Sequence, residues 1–95
     1  MILTLDIHKE VPGIYTARLL NTGALVTDPR EYHSIEAAIA GEASDVPNGF
    51  AHFIEVRYNG FSSGTELIEA VAGRATSIAD RLVALVAEGH RLERQ

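Results

Sequence analysis

The chain has 95 residues, 46% of them hydrophobic and 22% charged, with a formal net charge of −5 and no cysteine or tryptophan. Two domains of half this length would each be too small to bury a core, so one domain over residues 1–95 is predicted. Eight Ile, nine Leu, seven Val and 13 Ala exclude intrinsic disorder, and the lack of cysteine excludes disulfides, thiolate metal sites and thiol nucleophiles.

From Met1 to Glu10 apolar and polar residues alternate and Asp6 already carries charge, unlike the basic start and unbroken apolar stretch of a signal peptide. Apolar runs elsewhere are far short of a membrane span. The expectation is a soluble, cytoplasmic protein without a membrane partner. Arg91 and Arg94 form the only tight basic cluster, which argues against nucleic acid.

In chain order, Ile2 to His8 sends Leu3, Leu5 and Ile7 one way and Thr4, Asp6 and His8 the other, the period of a half-buried strand. Val11-Pro12-Gly13 turns the chain, Ile14 to Leu20 forms a second strand, and Asn21-Thr22-Gly23 returns Ala24 to Thr27 as a third. Ser34 is positioned to cap a first helix that carries Ile35, Ala38 and Ile39 on one side and ends by Gly41 to Ser44. A start at Asp28, with Pro29 in the first turn, is the alternative. After a loop from Ser44 to Gly49, Ala51 to Tyr58 reads as a strand.

The second helix is expected from Thr65 to about Glu88, with Leu67, Ile68, Val71, Ala75, Ile78, Leu82, Val83, Leu85 and Val86 in one arc and charged residues opposite. Glu66 and Glu69 sit at its positive end, and Gly89 is its expected stop. The order β-β-β-α-β-α predicts an α+β two-layer sandwich: an antiparallel sheet of three to four strands with two helices on one face. A helix of this length overhangs a short strand, so part of its apolar stripe is expected to need a further cover.

Few residues point to chemistry. Asp6, His8 and Glu10 share one strand face and could in principle hold a metal, but a solvated face has the same pattern and no fourth ligand can be named; no metal or cofactor is assigned. Gly60, Ser62, Ser63, Gly64 and Thr65 join a strand to the expected helix start, where amides and hydroxyls could cradle an anion, although capping by Ser63 or Thr65 explains them more simply. The missing Lys excludes a Walker motif. His8, His33, His52 and His90 are scattered; a general base built from His33, His52 and a carboxylate such as Glu55 needs a convergence the sequence does not show. No catalytic residue is assigned. The open sheet face, expected to carry Thr4, Asp6, His8, Phe53, Glu55 and Arg57, suits protein contacts and suits plain solvent exposure equally well.

Asn21-Thr22-Gly23 through Tyr32-His33-Ser34 into the Ala-rich helix resembles the strand, turn, strand and helix unit of several small bacterial families with no assigned activity, and the whole chain is similar to such proteins. Its element order also resembles that of partner-binding antitoxins with small strand-rich domains, without their appended DNA-binding segment. The resemblance carries no functional residue. The sequence therefore favours a non-enzymatic protein-interaction module, meeting a protein partner or a second copy of itself through Phe53, Arg57, Leu82 and Leu85, with homodimerisation an option. The alternative is a small-ligand or anion binder using the Gly60–Thr65 loop.

Overall fold

The structure, a computed structural model, describes residues 2–47 and 49–93; Asn48 and Arg94, placed above in a loop and a basic cluster, lie outside them. Six strands, β1 (Ile2–Val11), β2 (Ile14–Asn21), β3 (Ala24–Leu25), β4 (Arg30–Tyr32), β5 (Phe53–Tyr58) and β6 (Phe61–Leu67), form one sheet. The helical parts are α1 (Ile35–Asp45) and a run made of α2 (Ile68–Val71), a 3-10 turn (Ala72–Arg74) and α3 (Ala75–Glu93). The α+β class agrees with the sequence. The sheet is larger than expected and is mixed rather than antiparallel.

Strand order is β3-β2-β1-β5-β6, with β4 also pairing to β2. β1 is central: it runs antiparallel to β2 and parallel to β5, with Ile2 opposite Phe53 and Ile7 opposite Tyr58. The parallel pairing follows from the connection, because α1 carries the chain from β4 on one side of β1 to β5 on the other, and a crossover returns the strand in the same direction.

Two hairpins turn on consecutive residues of positive φ: Thr22 and Gly23 at 54° and 85°, and Asn59 and Gly60 at 51° and 83°. That geometry is the tight mirror-image turn whose twist matches paired strands. Asn59-Gly60 therefore starts a hairpin, and Phe61 to Leu67, expected as loop and helix start, return as edge strand β6 against β5. The helical run consequently begins at Ile68 rather than Thr65. Glu66 lies in β6 and pairs with Arg74 at 2.5 Å instead of sitting at a helix start.

The core lies on one side of the sheet, where Leu3, Leu5, Ile7, Ala17, Leu19, Ile54 and Val56 meet Ile39 of α1 and Ile78 and Leu82 of α3. Ser34 caps α1 as expected, its Oγ accepting from the amide of Ala37 at 3.0 Å. α3 continues through Gly89 to Glu93. Gly89 is there for close approach rather than as a stop: a Cβ at this position would lie 2.4 Å from the Phe61 ring.

Candidate functional site

Because α1 and α3 cover one face of the sheet, the other is open, and register defines what it carries. Phe53 of β5 stands opposite Ile2 of β1 and Leu67 of β6, while Leu20 of β2 stands opposite Thr4 of β1 and Leu25 of β3. Ile2, Leu25, Phe53 and Leu67 are 55%, 53%, 43% and 46% exposed. The result is an apolar band at one end of the face in two adjoining rows, Ile2, Phe53 and Leu67 in one and Leu20 and Leu25 in the next, level with Thr4. Isolated exposed apolar residues are ordinary on a surface; a group of them at one end of an open face is the less common arrangement.

Farther along the same strands the face is charged. Arg18 of β2 and Arg57 of β5 both align with Asp6 of β1, and His8 aligns with Thr16. Arg18 forms a 2.7 Å ion pair with Asp6, Glu10 accepts from the Thr16 hydroxyl at 3.0 Å, and Glu55 accepts from the Ser62 hydroxyl at 2.9 Å. The sequence placed Thr4, Asp6, His8, Phe53, Glu55 and Arg57 on this face, and the register puts them together there. It missed the contributions of Leu20, Leu25 and Leu67, since pairing register is not written in any one strand.

Other expected sites are rearranged. Asp6 and Glu10 are engaged by different partners, and among the described residues no group of three potential metal ligands comes together. Gly60, Ser62, Ser63, Gly64 and Thr65 do not surround a helix start. They form the turn and first part of β6, Ser63 donates to the Val56 carbonyl at 3.3 Å, and Ser62 accepts from the Gly64 amide at 3.0 Å. The anion cradle was premised on the first-turn amides of a helix, and this segment is instead an edge strand. Leu82, expected at an interface, is fully buried in the core, and Leu85 is half-buried. Val83, placed in the buried arc, is exposed instead.

His52 lines a separate recess of about 600 Å³ between the segment after α1 and the start of α2, with Ser44, Val46, Pro47, Ile68 and Glu69 among its walls. His33 is not among them. Small and apolar side chains make up most of its walls, and among the described residues His52 and Glu69 are its titratable groups.

One group was missed altogether. Glu42 of α1 is fully buried; one carboxylate oxygen, Oε2, accepts from the Tyr32 hydroxyl at 2.5 Å and from the Arg30 guanidinium, which also bonds Asp45 at 2.5 Å. Its Oε1 is buried without a partner. Burial, followed by the hydrogen bond to Glu42, pushes the Tyr32 hydroxyl up to about 12, and the bond to Asp45 raises Arg30 further. The cluster fastens short strand β4 to α1, and Gly41 makes room for it: a Cβ there would lie 2.7 Å from the Tyr32 ring. Its signal was present, since Glu42 follows Ile35, Ala38 and Ile39 at helical spacing on the buried side of α1.

No family model, curated protein or solved structure matches this chain. Among the described residues no helix is long and apolar enough to cross a membrane.

Proposed function

We propose that the chain is a non-enzymatic protein-interaction module of the cytoplasm, and that its contact surface is the open sheet face. The supporting observation is the apolar band of Ile2, Leu20, Leu25, Phe53 and Leu67, laid in two adjoining rows beside a charged half. Interfaces combine an apolar, desolvated centre with a polar border, and aromatic residues contribute disproportionately to their energy. The buried polar cluster at Glu42, by contrast, is internally bonded and belongs to the fold.

A photo-crosslinking residue placed at Phe53 in the source cell tests this reading, with the same residue at exposed Arg81 of α3 as control. The expected result is a discrete adduct from position 53 that Leu67→Asp abolishes, and none from position 81. Equal labelling from both positions, or none from position 53, overturns the assignment of this face.

A further inference from the structure

Resting on that interaction reading, we propose that the partner presents a carboxylate side chain to Arg57 while its apolar side chains meet the band around Phe53. The three outward carboxylates of β1 and β5 each already receive a side-chain hydrogen bond: Asp6 from Arg18, Glu10 from Thr16 and Glu55 from Ser62. Arg57 differs. Among the described residues its guanidinium reaches only the Gly60 carbonyl, at 3.5 Å, and although Asp6 is its register partner on β1, that carboxylate is turned to Arg18 on the opposite side. Five donors with one long contact to a neutral acceptor leave the planar fork open to a carboxylate, the group it matches best. A recess of about 330 Å³ opens alongside, walled by Thr4, Asp6, His8, Arg57, Asn59 and Gly60. Hydroxyl, imidazole and amide groups in this wall can donate to the second oxygen of an incoming carboxylate.

The pattern disfavours a second copy stacked centrally on this face as occupant. Arg18, Asp6 and Arg57 lie at one level of the sheet. A two-fold axis parallel to the strands and centred on β1, the middle strand, would stack Arg57 over Arg18 and Asp6 over Asp6, placing like charges together. An in-plane axis across the strands and centred on the face would lay the apolar residues over the charged half. An extended acidic segment has neither problem. Phe53 and Arg57 are four residues apart on β5, about 13 Å, and a partner strand repeats that spacing on one of its own faces.

The test uses the full chain, isotope-labelled for NMR, and two blocked pentapeptides, acetyl-Leu-Thr-Val-Thr-Glu-amide and its counterpart ending in Gln. The Glu peptide is expected to shift the Arg57 side-chain signal and the Phe53 amide together, to bind about ten-fold more tightly than the Gln peptide, and to lose that advantage in Arg57→Gln. Equal binding of both peptides at the Phe53 band overturns the Arg57 assignment while leaving the docking face intact. Absence of any shift at Arg57 overturns it as well, and the position-53 crosslink then decides separately whether the face is a contact surface. Acetate alone producing the Arg57 shift at the same concentration assigns the recess to free carboxylates instead. A light-scattering mass near twice 10.3 kDa that Phe53→Asp returns to monomer assigns the face to a second copy and overturns the acidic partner.

Discussion

The two faces of the sheet are built from the same strands and treat polar groups in opposite ways. On the covered face, Leu3, Leu5, Ile7, Ile54 and Val56 pack against α1 and α3, and the one buried charge nearby, Glu42, is held by Tyr32 and Arg30. On the open face, apolar residues stand uncovered and one guanidinium, that of Arg57, lacks an ionic partner among the described residues. The covered side is packed by its own chain, with Oε1 of Glu42 the buried side-chain atom left without a hydrogen-bond partner among the described residues. The open side leaves these groups exposed, which is the basis of the proposed contact surface.

Substitutions should separate the faces sharply. Leu82→Ala, at a fully buried position, removes core contacts and leaves a cavity, and is expected to lower the unfolding free energy by about 3 kcal/mol in a urea titration. Next comes Gly89→Ala, which favours helix intrinsically by about 1 kcal/mol yet forces a methyl group into the Phe61 ring. A net loss of about 1 to 2 kcal/mol is expected from that overpacking; a gain in stability would show that the ring yields freely.

Tyr32→Phe removes a hydrogen bond to buried Glu42 and is expected to cost about 1 to 2 kcal/mol at neutral pH. Its pH dependence follows from an acid whose pKa is raised on folding. The stabilisation is fully present below the ordinary value of 10.0 and is lost as pH climbs through about 12. The gap between wild type and Tyr32→Phe should therefore narrow across that interval in chemical denaturation at successive pH values, and a constant gap would refute the coupling. The smallest effect on folding is expected on the open face: Phe53→Asp should change stability by no more than about 0.5 kcal/mol while abolishing the crosslink. Unfolding by Phe53→Asp would show that this face, too, serves the fold.

What could be read from the sequence followed a consistent line. Alternation along Ile2 to His8 placed the inward and outward residues of β1, and Ser34 marked the start of α1, because both signals are local and decided by backbone periodicity or a single hydroxyl. The direction of β5 was not local: it depends on α1 passing over the sheet, and only the crossover makes its pairing with β1 parallel. β6 was obscured by Ser62, Ser63 and Gly64, whose composition resembles a loop, although Asn59-Gly60 is among the strongest hairpin signals a sequence offers. Glu42 was hidden by its charge, since helical spacing put it inside and polarity argued for outside; Tyr32 and Arg30, contributed by an unanticipated strand, resolve that conflict. For the open face, residue types were legible from alternation, but not the register that brings Leu20 and Leu25 beside the row of Ile2, Phe53 and Leu67.

The pairing of Ile2 with Phe53 also bears on how the protein should be handled. Any peptide fused ahead of Ile2 would leave the sheet beside the apolar band and could shield it from whatever binds there. An affinity handle attached beyond α3 keeps that approach clear, and a binding screen run with a leader-tagged version risks reporting the tag's obstruction as an absence of ligands.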